Sequence, residues 1–347
     1  MSNDGSRSGF ALPAVLAVTG VVTLVFLVAI TALASLTAEA GAARSRVRFL
    51  QNVMTAEATL SYLAATETVS QTGFVLGGAR FSDEYQTADP SSSDSRFPTT
   101  IAQVRFDGSP YEIGTPVPLV MRLRDQAGMI NLAGLSDQQW ERFGQSIGLS
   151  QISARQLGPR YRDYVDANTL ATPGGGEQPA YGRDVVANRP LLRPSEFLSL
   201  LGVRATIEPS KWRAIRSDVA ADHTRTSVNI NTASAQALQV MFGISPFQAN
   251  NAVRARLNTP FNDLSDLAAV TGGSILGDFD GSYTRPTGRV IYTIQDTRSP
   301  WTYRARLTLT PSGLEQPVWI DQTELTEAPR RAVADISDAT RFPYTPR

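Results

Sequence analysis

Between Phe10 and Ala38 the chain carries no charged side chain, and Leu, Val, Ala, Ile and Phe dominate the run. About 20 apolar residues suffice for a helix to span the ~30 Å hydrocarbon core of a bilayer, where a central charge would cost about 2.5–3.5 kcal/mol. This stretch therefore predicts a membrane-crossing helix. A cleaved secretory signal is the competing reading, with Ala38-Glu39-Ala40 as a small-x-small cleavage site. Such signals carry apolar segments of only about 7–15 residues, so the length favours a retained anchor. Helical character extends further, because no proline falls between Pro13 and Pro90 and no glycine between Gly41 and Gly73. Leu50, Val53, Met54, Leu60 and Ala64 recur at helical spacing, while Arg44, Arg46, Arg48, Gln51, Asn52 and Thr55 fill the rest. That pattern predicts an amphipathic helix with one face packed on a domain. Two helices broken at Gly41 would show the same periodicity.

The remainder is globular in composition and long enough, within 347 residues, for two modest domains. Equal numbers of basic and acidic side chains, 32 of each, leave no global field to attract nucleic acid or anionic lipid. The absence of cysteine excludes thiolate nucleophiles, disulfides and Cys-ligated zinc. Acid–base chemistry built on histidine would rest on His223 alone, which reads as a solvated loop residue. With no nucleophile-elbow pattern either, the residues point to no enzyme.

A Gly, Ser and Asp-rich passage from Gly73 to Ser95 reads as a loop. Alternation then follows: Ala102, Val104 and Phe106 on one face, a turn at Asp107-Gly108, and Leu119, Met121 and Leu123 on a later strand. From about Ser136 to Gly272 the pattern is helical, with a capping-box spacing at Ser136 and Gln139 and a short helix between Pro194 and Gly202. Strands return with Val290, Tyr292 and Ile294, with Tyr303, Ala305, Leu307 and Leu309, and with a short edge at Val318 and Ile320. The expected class is α+β. Early and late strands form one antiparallel sheet packed on the long N-terminal helix, and a large α-helical domain is inserted between them.

Two motifs lie in the helical part. Arg162 to Asn168, Pro173 to Glu177 and Asn188 to Leu191 gather oxygen ligands around a glycine-rich loop that could wrap a hard cation. The EF-hand spacing is not met, and helix capping by Asp and Asn explains the same residues. Asp278-Phe279-Asp280-Gly281 reads only as a turn. The second motif, Val228 to Ser234 followed by Leu238, Phe242 to Pro246 and Ala249 to Arg256, reads as a helix-hairpin-helix. Gly243 ends its first helix, Ser245 caps the second and Pro246 fits the first turn. Hairpins of this kind can offer backbone N–H groups to phosphate. Here Arg254 and Arg256 are offset by Asp263 and Asp266, which favours a scaffold over a DNA site.

Ser6-Arg7-Ser8-Gly9 followed by Phe10 to Val15 resembles the prepilin-peptidase site of type IV pilins and type II secretion pseudopilins. The resemblance implies cleavage after Gly9 and a mature, N-methylated Phe10. Ala14 stands where most members carry glutamate, which suits a terminal subunit with no neighbour above it. A plain positive-inside count, Arg44, Arg46 and Arg48 against Arg7, would give the opposite orientation. Asp163 to Asn168, Gly175-Gly176-Glu177, Ala187 to Leu191 and Val228 to Ser234 resemble the helical insertion of K-class minor pseudopilins, the GspK family. The family likeness implies a pilin-like fold divided into a leader (1–9), a transmembrane and assembly helix (10–66), sheet segments (67–125 and 285–330), a helical insertion holding the hairpin (126–284) and a tail (331–347). It also implies calcium on Asp166, Asn168 and Glu177, with Asp163 a lesser ligand and Asn168 in place of a usual acid. Implied partners are I- and J-class minor pseudopilins, prepilin peptidase and the inner-membrane secretion platform, with no nucleic acid. The globular part would lie in the periplasm, working at the pseudopilus tip. A membrane-tethered DNA receptor and a minor type IV pilin are the alternatives.

Overall fold

The computed structural model describes residues 11–76, 102–114, 118–182, 185–223, 228–273, 275, 282–310, 317–327 and 338–343. The leader with Gly9 and Phe10, the serines of 91–93 and the Asp278–Gly281 stretch lie outside these residues. Two compact units are distinguished, Met1–Met54 and Thr55–Arg347.

Helix α1 (Ala11–Thr66) is continuous, and Gly41 does not interrupt it. Among the described residues it is the one helix long and apolar enough to cross a membrane. Polar hydroxyls within the apolar run are satisfied by the helix itself: Thr19 donates to the Val15 carbonyl and Thr23 to that of Thr19, both at 2.8 Å. A bilayer offers no water to these groups, so such back-bonding removes the penalty of burying them in hydrocarbon.

In the second unit, the last turns of α1 bury Ala56, Leu60 and Leu63. Met54, nominated for the apolar face, is 68% exposed instead, and Leu50 and Ala64 are half-buried. A three-stranded sheet follows, β1 (Thr68–Val69), β2 (Gly73–Val75) and β3 (Gln103–Arg105). Gly73 to Val75, expected to open a loop, instead form a strand paired along its length with β3 and through Phe74 and Val75 with β1, and the rest of that expected loop from residue 77 lies outside the described residues. Strands β4 (Asp107–Ile113) and β5 (Leu119–Asp125) come next. Asp107-Gly108 begins β4 rather than forming a hairpin turn, with a register shift before Pro110.

The chain then leaves the sheet through β6 (Ile130–Asn131), α2 (Asp137–Ser146), α3 (Gln151–Arg155), α4 (Leu157–Val165), α5 (Gln178–Tyr181), α6 (Val203–Thr206) and α7 (Pro209–Ile215). It continues through β7 (Val219–Ala220), β8 (Val228–Asn229), α8 (Ala235–Phe242), α9 (Pro246–Asn258), α10 (Leu264–Thr271) and β9 (Ser282–Tyr283). It returns as β10 (Arg289–Asp296), β11 (Trp301–Leu309), β12 (Val318–Glu327) and β13 (Thr340–Arg341). The larger sheet has the order β12-β11-β10-β5-β4-β13. Strands β5 and β10 are antiparallel neighbours, with Val290 opposite Asp125, so the chain re-enters beside the point where it left. Expected as a short edge, β12 is ten residues long.

Two cores result. Val290, Tyr292, Ile294, Tyr303, Ala305 and Leu307 are buried on one face of the larger sheet, and the Tyr292 hydroxyl donates to the Glu57 carboxylate on α1. Burial, reinforced by Glu57, pushes the Tyr292 phenol far above its ordinary range. The helices share a second core around Trp140, Phe143 and Phe197, where the Phe143 and Phe197 rings meet edge to face at 5.3 Å. The 3-10 turn Pro194–Ser199 supplies Phe197 where the sequence predicts a short helix, and Gly202 follows at φ 70°.

Candidate metal centre and the helical hairpin

Helix α4 ends at Val165, and Asp166, its C-cap, takes an extended backbone that turns the chain into the loop before α5. Asp163, in the last turn, is fully buried. Its carboxylate accepts hydrogen bonds from the Thr172 N–H at 2.9 Å, the Gly176 N–H at 2.7 Å and the Thr172 hydroxyl. The loop therefore folds over this side chain, and glycine is required at 175, where a Cβ would stand 2.2 Å from Asp163 Oδ2. Glu177 follows as the N-cap of α5, yet its carboxylate makes no capping bond.

One carboxylate oxygen from each of Asp163, Asp166 and Glu177 lies within 4.8 Å of the others. Oδ1 of Asp166 and Oε1 of Glu177 are buried without a hydrogen-bond partner among the described residues. No basic side chain among those residues forms an ion pair with any of the three. Burial pushes the Glu177 carboxyl above its ordinary pKa, and the charges of Asp166 and Asp163 push it the same way. Three converging carboxylates with orphaned buried oxygens fit a hard divalent cation, which takes carboxylate and backbone oxygens. Asn168 is differently engaged: it is exposed, and its Oδ1 accepts the Leu170 N–H at 2.7 Å in a local turn. Thr172, absent from the sequence-nominated set, closes the loop on Asp163. Only the folded path reveals it.

The hairpin forms as its capping signals predict. Ser234 caps α8 and Gly243 ends it at φ 69°, a left-handed conformation that favours glycine. Ser245 and Gln248 form a reciprocal capping box at the start of α9, with Pro246 in its first turn. Other groups fix this unit from outside. Arg142 donates to the Val240 and Met241 carbonyls at the end of α8, and the Gln248 amide donates to the Thr271 carbonyl at 2.6 Å. Arg256 is 1% exposed and donates to the Ile230 carbonyl at 2.8 Å; desolvation holds its pKa down to about 10. Of the two arginines that a DNA-binding hairpin would turn toward phosphate, only Arg254 is at the surface, where it bonds Asn251. A hairpin with so little surface cation gains little from counterion release.

Residues 223–272 match the helix-hairpin-helix motif family. The chain is 28% identical over 170 residues to type II secretion system protein K of Pseudomonas aeruginosa, an alignment covering 46% of this chain and 50% of that protein. It therefore spans about half the length of the curated relative it matches. The fold is similar to that of a chain in the crystal structure of the GspK-GspI-GspJ complex from the enterotoxigenic Escherichia coli type 2 secretion system. The TM-score is 0.52 at 15% identity, over 82% of this chain and 98% of that one. The sequence likeness is thus to a K component, and the fold likeness to a chain of a K-I-J assembly.

Proposed function

We propose that the chain is a K-class minor pseudopilin of type II secretion, a non-enzymatic subunit of the pseudopilus tip. In this reading α1 anchors it in the inner membrane and Thr55 onward lies in the periplasm. Prepilin peptidase cleaves after Gly9, and Phe10 becomes the methylated N-terminus. The observation that carries the reading is the succession of elements: one long apolar helix, an antiparallel sheet, and a helix-rich segment with a hairpin that leaves and re-enters the sheet at neighbouring strands. Its partners are then I- and J-class minor pseudopilins together with the inner-membrane secretion platform. Its work is mechanical. The helical segment adds bulk beside the sheet that would bar a further subunit, and Ala14 offers no carboxylate to a neighbour's N-terminal ammonium.

Asp163, Asp166 and Glu177 would hold calcium, which would neutralise their mutual repulsion and pin the 166–177 loop to α4. Asn168 adds no charge to this set.

Mass spectrometry of the mature protein and capture of partners by the full chain in detergent test the reading together. It expects a mature chain beginning at Phe10 and co-purification of the I- and J-class subunits. A mature chain beginning near Gly41, or capture of neither subunit, would overturn it. Salt-sensitive retention of DNA by the full chain would instead favour the DNA-receptor alternative, against which the burial of Arg256 argues.

A further inference from the structure

A groove of about 410 Å³ runs between the face of the larger sheet opposite Tyr292 and the segment carrying α7. Thr293 and Gln295 of β10 and Thr302, Arg304 and Arg306 of β11 contribute to its floor, and β12 forms one wall. Arg193, Arg213 and Arg216 line the opposite side. The lining thus holds five arginines against one acid, Glu324, in a protein whose formal net charge is zero.

Most of these cations are uncompensated. Arg306 is held by Asp321 through two bonds of 2.8 Å. Arg193, Arg213, Arg216 and Arg304 form no ion pair among the described residues. Arg193, Arg213 and Arg216 are exposed, whereas Arg304 is half-buried, and its one hydrogen bond among those residues is a long 3.4 Å contact to the Arg216 carbonyl. Desolvation lowers the pKa of Arg304 despite the opposing effect of Glu324. A guanidinium desolvated without a full partner is stabilised by an incoming carboxylate.

We infer that this groove is a docking site for an extended, acidic segment of a partner polypeptide. Arg304 and Arg306 lie two residues apart on the same face of β11, a spacing of roughly 7 Å, which is the repeat at which an extended chain presents alternate side chains. Carboxylates at alternate positions of a bound strand therefore meet Arg304, which has no ion pair among the described residues, and Arg306, which they would share with Asp321, while Arg193, Arg213 and Arg216 face the strand from the opposite side. The neutral hydroxyls and amides of Thr293, Gln295 and Thr302 can serve its backbone, and β12 is the edge strand of the sheet among the described residues. Single-stranded nucleic acid fits less well, because the one aromatic of the lining, Trp212, is 8% exposed and offers no ring for stacking. The inference uses no residue of the Asp163 loop or the hairpin and stands independently of the pseudopilin reading.

The test is fluorescence anisotropy with the full chain in detergent. The probes are a labelled decapeptide of alternating Glu and Thr, its Gln-Thr counterpart and a 20-nucleotide oligo-dT. The Glu-Thr peptide should bind and the Gln-Thr peptide should not. Affinity should fall tenfold or more in the Arg213→Gln/Arg216→Gln double variant and in Arg304→Gln, and stay within twofold in Arg254→Gln, a surface change elsewhere. Hydrogen–deuterium exchange should show protection by the peptide in 209–220 and 318–327. The groove is not a peptide site if wild-type protein ignores the Glu-Thr peptide at low salt, if Arg254→Gln weakens it as much as the double variant does, or if protection falls elsewhere. Tighter binding of oligo-dT, lost in the same variants, would overturn the choice of occupant.

Discussion

Asp125 is fully buried at the end of β5, the point where the chain leaves the sheet. Its carboxylate accepts from the Ala127 N–H, the Asn229 amide, the Thr232 hydroxyl, and both the N–H and the hydroxyl of Thr287. One side chain thus ties the outgoing segment, the residues before α8 and the segment returning to β10. Burial raises its pKa against the lowering effect of these donors. Asp125→Ala would strand several buried donors, and chemical denaturation should show a loss on the order of 4 kcal/mol. Glu177 presents the opposite case, a buried carboxylate oxygen with no donor among the described residues and two other acids beside it. Glu177→Gln should therefore raise the melting temperature in chelator by removing a repulsive charge, and abolish the rise that calcium gives the wild type. Thermal melts with and without calcium decide it; an unchanged calcium response in the variant would remove Glu177 from the site.

At the scale of elements, what was legible in the sequence was whatever is written locally. Capping residues announced α2, α8 and α9, because a Ser side chain or a left-handed glycine acts on its own turn. Gly243→Ala should accordingly cost about 1–2 kcal/mol, read as a lower denaturation midpoint with an unchanged slope. The three clustered carboxylates were also in view, since α4 and the N-terminus of α5 are joined by one short glycine-rich loop. Contacts set by tertiary packing were not. Arg256 looked like a surface cation until α9 was seen to turn it onto the Ile230 carbonyl. The last turns of α1 bury Leu63 while Met54 points outward, although a helical period accommodates either. Tyr292 and Glu57, far apart in the chain, meet only once the sheet forms, so Tyr292 reads in the sequence only as one of the alternating residues of a strand and Glu57 does not stand out at all. Tyr292→Phe should cost about 1.5–3 kcal/mol, the range for a hydrogen bond to a charged group, and a neutral result would show that water replaces the phenol.

At the scale of the molecule, the helix-rich segment and the sheet belong to one compact unit from Thr55 to Arg347, even though they bury separate cores. Polar links bind the two beyond the continuous backbone. Asp125 joins β5 to Asn229 and Thr287, while Asp222, 6% exposed, pairs with Arg289 at the start of β10 and accepts from the Gln126 amide at 2.9 Å. Arg124 on β5 adds an ion pair to Asp218 at 2.6 Å. Buried links of this kind lose their worth together when either side opens, because each stranded partner then carries its own desolvation cost. The unit should therefore melt as one cooperative transition, with near-UV circular dichroism of the aromatic helical core and far-UV ellipticity changing at the same temperature. Asp125→Ala lowers that temperature for both signals alike if the links make the unit cooperative. Two separated transitions in the wild type would show instead that the inserted helices fold independently of the sheet, with Asp125 stabilising only the junction.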